Sequence, residues 1–282
     1  MKIFELLKYG RQILEESGVE DSDFDAECLL MHVFNFDKNK LYLNRPEEAD
    51  EGKKNLFLSL IDRRKKGEPL QYIIGKWSFM DGEFFVGEGV LIPRSDTETL
   101  VEAVADFIRK HKNVKVVCDL CAGSGCIGIS IGMLFPDVQV YCVELSDKAF
   151  QYLEKNVKHN NVTNVKAVKG DITKGVESFD FDDIDVLVSN PPYIETDEIA
   201  TLSQEVRNEP HMALDGGKDG LYFYRILAEK WLKFLKKGCF SAFECGETQA
   251  KDLSEIYADF SSQINIHNDL NGIERVVSFT KN

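Results

Sequence analysis

The sequence predicts an α/β fold, a mostly parallel sheet of seven strands, with a small helical domain in front of it. Three patterns carry that reading. Apolar residues recur at helical spacing through residues 1–66, a β-rich stretch with turn residues follows to about residue 90, and helix- and strand-patterned segments alternate from about residue 95 to the end. Such alternation builds a parallel sheet covered by helices on both faces. The chain therefore divides into a helical bundle over 1–68, a β-hairpin linker over 69–90 and an α/β domain over 91–282.

In the bundle, the helical spacing is carried by Ile3, Phe4 and Leu7, then Ile13 and Leu14. Phe24, Cys28, Leu29, Leu30 and Val33 continue it, followed by Leu56, Leu60 and Ile61. Gly67 to Pro69 ends the pattern. The run Leu70-Gln71-Tyr72-Ile73-Ile74-Gly75 reads as the start of the β-rich stretch, continued by Trp77, Phe79, Phe84, Phe85 and Val86 and broken at Asp81-Gly82 and Gly87 to Gly89. Beyond it, a helix over Thr97–Lys110 precedes a strand over Val114–Asp119, and a Gly-rich turn leads into a helix ending at Leu134. Strands at Val138–Glu144, Val165–Val168, Ile184–Ser189, Cys239–Glu244, Ile264–His267 and Val276–Phe279 bring the total to seven. Helices at Asp147–His159, Gly220–Leu235 and Thr248–Phe260 lie between them.

Composition narrows the function. The chain has 282 residues, with 34 Lys+Arg against 48 Asp+Glu, a formal net charge of −14. An acidic protein repels phosphate backbones, and the longest basic run is the short block Arg63 to Lys66, so nucleic acid is not the expected partner. Lys2, Lys8 and Arg11 alternate with Glu5, Glu15 and Glu16 at the start, which is no signal peptide, and a cytoplasmic protein is expected. Leu120 to Pro136 is uncharged but too short for a membrane span. Seven cysteines argue against a disulfide framework, and Cys118, Cys121 and Cys126 lack a second pair at zinc-like spacing; no metal is expected.

In α/β sheets, ligands sit beyond the carboxyl ends of the strands. The first strand runs into Asp119-Leu120-Cys121-Ala122-Gly123-Ser124-Gly125-Cys126-Ile127-Gly128, a turn that lets the backbone approach a ligand before a helix N-terminus. Glu144, nineteen residues after Gly125, ends the second strand, where a carboxylate can hold both hydroxyls of a ribose. A dinucleotide such as NAD matches this pattern. Asp119 tilts the cofactor towards S-adenosylmethionine, because an acid there suits a zwitterionic amino-acid end better than a pyrophosphate. Asp171, after the third strand, is placed to accept from the adenine amino group.

The fourth strand runs into Asn190-Pro191-Pro192-Tyr193. The prolines remove two donors and hold the preceding residues extended, so the carbonyls of Asn190 and Pro191 can face a cleft. With the Asn190 side-chain oxygen they can accept both hydrogens of a planar NH2 group, and Tyr193 can supply an aromatic wall. An amide nitrogen is a poor nucleophile because its lone pair is delocalised. Acceptors on both N–H bonds favour the transition state, where the nitrogen becomes more pyramidal and more positive.

The tetrapeptide and glycine turn together resemble the class I S-adenosylmethionine-dependent amino-methyltransferases, which modify adenine, guanine or glutamine. Further stretches narrow this: Gln71 to Gly75, Val90 to Glu98, Glu205 to Pro210, Gly216 to Leu221, Glu244 to Gly246 with Gln249, and Asp269 to Gly272 with Arg275 are similar to the HemK/PrmC family of release factor glutamine methyltransferases. The similarity spans essentially the whole chain. Two departures are Ser95-Asp96 where the family usually has Pro-Glu, and His211 where Arg is usual.

The resemblance implies a class I methyltransferase fold and methyl transfer to the glutamine of the Gly-Gly-Gln motif in class 1 peptide chain release factors, modulating translation termination. It implies that Asn190, Pro191, Pro192 and Tyr193 bind the glutamine amide. Cys121, Ala122, Gly123, Ser124 and Gly125 would line the methionine portion of S-adenosylmethionine, Glu144 its ribose, and Ile172, beside Asp171, its adenine. The cofactor would leave as S-adenosylhomocysteine, and the helical domain would bind the release factor. An amino-methyltransferase acting on adenine or guanine in DNA or RNA uses the same tetrapeptide and is the alternative. It calls for a basic binding face that the composition does not offer. An NAD oxidoreductase leaves the tetrapeptide unexplained.

Overall fold

A computed structural model of the protein describes residues 1–181 and 183–282. The chain forms two compact units: Met1–Gly75 with Ser203–Asn208, and Lys76–Leu202 with Glu209–Asn282. In the first unit, α1 (Ile3–Glu16) buries Leu6, Leu7 and Leu14, and α2 (Ser22–Phe34) buries Leu29 and Leu30. α3 (Lys38–Asn44) and α4 (Glu51–Lys65) each start at an aspartate whose side chain accepts a backbone N–H, Asp37 from Lys40 at 2.7 Å and Asp50 from Lys53 at 2.9 Å. α4 closes the bundle with Phe57, Leu60 and Ile61.

The run Leu70–Ile74, expected as the start of the β-rich stretch, is instead the short helix α5. Its ends explain the difference. The Pro69 carbonyl accepts from Tyr72 and Ile73, and Gly75 takes the left-handed conformation that stops a helix (φ 80°). Leu70 and Ile73, three apart, are the buried pair, a pattern that a run of five residues, four of them apolar, cannot distinguish from a strand.

The second unit opens with the antiparallel hairpin β1 (Lys76–Phe79) and β2 (Gly82–Phe85). α6 (Glu98–Lys110) precedes β3 (Val116–Leu120), α7 (Cys126–Leu134), β4 (Gln139–Glu144), α8 (Asp147–His159), β5 (Val165–Lys169) and β6 (Val186–Ser189). The chain then joins the first unit as α9 (Gln204–Arg207), where Arg64 is ion-paired with both Asp25 and Glu205. Back in the second unit, α10 (Tyr222–Ile226) runs into a π-helical turn, Leu227–Leu232. β7 (Phe240–Glu244), α11 (Ala250–Tyr257), β8 (Ile264–Asn268) and β9 (Glu274–Thr280) end the fold.

The seven-stranded sheet has the order β5-β4-β3-β6-β7-β9-β8. The first five strands are parallel and β9 is antiparallel to both β7 and β8. β3 and β6 are buried along their whole length, so their mostly apolar residues pack on both faces, with Asp119 and Ser189 buried among them. The strand order reverses at β3, which has β4 on one side and β6 on the other, and that switch point is where a crevice forms beyond the strand ends. Among the described residues, no helix is long and apolar enough to cross a membrane.

Candidate active site

A cavity opens at the switch point, lined by the turn after β3, the ends of β4 and β5, and the segment after β6. Cys121, Ala122, Gly123, Ser124, Glu144, Asp171, Ile172, Asn190 and Pro192 all line it, brought together from positions up to 71 residues apart. Asp119, Gly125, Pro191 and Tyr193 are not among the lining residues. Leu91 to Arg94, Thr97, Met212 and Phe223 also line it, and no local motif marks them for a role.

Glu144 is 8% exposed and already bound on both oxygens: Oε2 accepts the Gly123 N–H at 2.8 Å and Oε1 the Ser146 N–H at 2.6 Å. The carboxylate is thereby fixed at the cavity wall with lone pairs to spare for a ligand. Gly123 has φ 56° and Gly125 φ 82°, so the turn needs residues without a Cβ, while Cys121 takes φ 59° with one. Burial pushes the Cys121 thiol far above neutrality, so it stays protonated. Asn156 of α8 braces the turn from behind, donating to the carbonyls of Ser124 (2.9 Å) and Phe85 (3.1 Å) and accepting from the Phe85 N–H at 2.7 Å.

Asp119, expected to face the amino end of the cofactor, is fully buried beneath the turn. Its Oδ2 accepts the Gly128 N–H at 3.0 Å and its Oδ1 has no partner among the described residues. Burial raises its pKa to about 8, outweighing the Gly128 N–H, and Glu144 adds to the rise. Asp171 caps the turn that follows it, with Oδ1 accepting from the Thr173 amide (2.9 Å) and hydroxyl (2.7 Å). Ile172 is buried beside it.

Behind Asn190 lies a polar cluster. Asn190 Nδ2 donates to Thr97 Oγ1 at 3.3 Å, and the Tyr193 hydroxyl stands 3.5 Å from Glu244 Oε1. Glu244, at the end of β7, is 2% exposed, and its Oε2 has no hydrogen-bond partner among the described residues. Burial raises its pKa to about 7. The donors of Thr97 and Asn190 and the charge of Arg275 favour the ionised form, while Asp96 opposes it. Tyr193, expected as an aromatic wall, is held from the rear. Gln249 Nε2 donates to its carbonyl at 3.0 Å, and a Cβ on Gly216 would lie 2.7 Å from its Cα. The Gly216 to Leu221 stretch thus has a physical reason that lies in the backbone of the tetrapeptide. Nothing in its local spacing discloses it.

Parallel strands ending in a glycine turn, an acid and an Asn-Pro-Pro-Tyr segment around one cavity define a class I methyltransferase. Residues 5–75 match the family described as PrmC N-terminal domain, and residues 95–218 the one described as methyltransferase small domain. The release factor glutamine methyltransferase of Clostridium botulinum is 38% identical over 285 residues, covering 100% of both chains. That of Clostridium acetobutylicum is 41% identical over 259 residues, 91% of this chain and 90% of its own. The chain belongs to the release factor glutamine methyltransferase family. Among solved structures, the catalytic domain of hMettl16 in complex with a MAT2A 3'UTR hairpin superposes with a TM-score of 0.56 over 82% of each chain; at 16% identity it shares the fold.

Proposed function

We propose that this protein transfers a methyl group from S-adenosylmethionine to the side-chain amide nitrogen of the Gly-Gly-Gln glutamine in class 1 peptide chain release factors, in the cytoplasm. The observation that carries the reading is that Asn190 lines the same cavity as a preset carboxylate, Glu144. The site fits the cofactor by its donor set: an acid able to accept from two ribose hydroxyls, an apolar wall at Ile172 for adenine, with the Asp171 carboxylate at hand for its amino group, and backbone from Cys121 to Gly125 along the methionine part. When bound, S-adenosylmethionine supplies an electrophilic methyl group on a sulfonium.

The chain's own residues do the rest. Asn190 Oδ1 and the Pro191 carbonyl accept the two N–H bonds of the substrate amide and aim its nitrogen at the methyl. As charge builds on nitrogen these hydrogen bonds strengthen, which is selective stabilisation of the transition state. Pro192 keeps the segment extended and out of the sheet, and Tyr193 braces it from behind. The proton shed by the methylated amide leaves to solvent. A net charge of −14 supports a protein acceptor over DNA or RNA. Offering labelled S-adenosylmethionine with purified release factor, DNA and RNA in one competition tests this: label is expected in the factor, and label confined to nucleic acid would favour the adenine or guanine alternative.

A further inference from the structure

An asparagine that must accept from a substrate NH2 has a problem of polarity, since its amide carries an acceptor at one corner and a donor at the other. Turned over, Asn190 would present its own NH2 to the glutamine NH2 and repel it. Something must choose the orientation. The residues behind Asn190 form a directed chain that does so. Asn190 Nδ2 donates to Thr97 Oγ1 at 3.3 Å, and the Thr97 hydroxyl and the Asn190 NH2 both favour the ionised Glu244 carboxylate. A carboxylate only accepts, so the threonine proton points to it, the threonine lone pairs point to Asn190, and Asn190 Oδ1 is left facing the cavity. Glu244 is 2% exposed and sits outside the cavity lining, and Thr97 is equally buried at 2%.

Resting on the reading of Asn190 given above, we propose that Glu244, acting on Asn190 directly and through Thr97, is a positioning residue that sets which end of the Asn190 amide faces the substrate. Its charge state then matters. The groups facing Glu244 are Tyr193, Asp96, Arg275, Cys126, Cys245 and the Tyr224 hydroxyl, which donates to the Glu244 carbonyl. Burial drives the Tyr193 and Tyr224 phenols upward and the Cys126 and Cys245 thiols to about 12, well away from neutrality. Below about pH 7 Glu244 takes up a proton and gains a donor, so the chain loses its fixed direction; above it the direction is enforced.

Two variants test this. Glu244→Gln puts a donor where only an acceptor stood, and Thr97→Val removes the middle link while Thr97→Ser retains it. With S-adenosylmethionine and a Gly-Gly-Gln peptide, Glu244→Gln and Thr97→Val are expected to lower kcat by about tenfold to a hundredfold, as loss of an orienting partner does, with cofactor Kd within about twofold and Thr97→Ser restoring most of the rate. The rise of kcat with pH near 7 should vanish in Glu244→Gln. Independently of any substrate, the Asn190 side-chain NH2 resonance, assigned by its absence in Asn190→Asp, should shift with a midpoint near pH 7 in the parent and not in Glu244→Gln. A parent that leaves the peptide unmethylated but shows the resonance shift overturns the functional reading alone. Unchanged kcat in Glu244→Gln, failure of Thr97→Ser to rescue, or a resonance indifferent to Glu244 overturns the positioning role.

Discussion

The Glu144 carboxylate and the Gly123 amide are joined by a hydrogen bond of 2.8 Å that ties the end of β4 to the turn after β3. The acid is therefore both part of the cavity wall and a brace of the turn. Glu144→Ala should weaken S-adenosylmethionine binding by about 1.5–3 kcal/mol for each charge-assisted bond lost, with Glu144→Gln intermediate. Calorimetry measures it, and an unchanged Kd in folded Glu144→Ala would remove the acid from the site.

Asn190 carries no titrating group near neutrality, so its contribution is geometric. Asn190→Ala should reduce kcat by about 10²–10³ with cofactor Kd little changed, the scale of losing one preorganised polar partner. Asn190→Asp keeps the shape but places a charge beside the sulfonium. A near-normal rate with a new bell-shaped pH profile in that variant would mean a base mechanism instead.

Gly216 abuts the tetrapeptide from the rear. In Gly216→Ala the new Cβ would lie 2.7 Å from Tyr193 Cα and 2.9 Å from the Gly220 carbonyl, both backbone atoms that cannot swing aside. The strain should cost about 1–3 kcal/mol of stability and shift Asn190. Urea unfolding and steady-state kinetics on the same sample should show kcat falling further than the lost stability accounts for. A variant with parental kcat would show that the segment is not held by this contact.

Asn156 satisfies three backbone groups at once, in Phe85 and Ser124. Asn156→Ala strands them in a buried setting and should destabilise the protein by about 2–3 kcal/mol. A shift in urea midpoint below a third of that would mean that water replaces the side chain.

Asp119 gives a signed pH effect. Its pKa is about 8 in the folded protein against an ordinary 3.8, raised by burial, so across that window the folded protein holds a proton that the unfolded chain has released. Its contribution to stability is full below the lower value and is lost as pH rises towards the upper one. Asp119→Asn, isosteric with the protonated acid, should gain stability relative to the parent as pH increases through the window. Urea midpoints at several pH values decide it: a constant difference between the two proteins would mean that Asp119 is ionised throughout.

What was legible in the sequence is what local chemistry dictates. The glycine turn, Glu144 and the Asn190 to Tyr193 segment each follow a strand, and strand ends are marked by runs of apolar residues and by turn formers. Leu70–Ile74 is a helix because Pro69 and Gly75 at its ends decide it, while its four apolar residues around Gln71 fit either period. The pairing of Glu244 with Tyr193, and of Thr97 with Asn190, spans 51 and 93 residues of sequence, and no spacing rule reaches that far. The same holds for α9, whose Glu205 pairs with Arg64 across 141 residues.

The proposed function depends on delivery of a glutamine amide to the methyl donor by Asn190. It is tested most directly by mass spectrometry of a class 1 release factor incubated with S-adenosylmethionine and either the parent protein or Asn190→Ala. A gain of one CH2 confined to the glutamine of Gly-Gly-Gln is expected with the parent, and none above background with the variant. A factor left unmodified by the parent under conditions where DNA or RNA gains methyl groups, or one modified equally by both proteins, would contradict it.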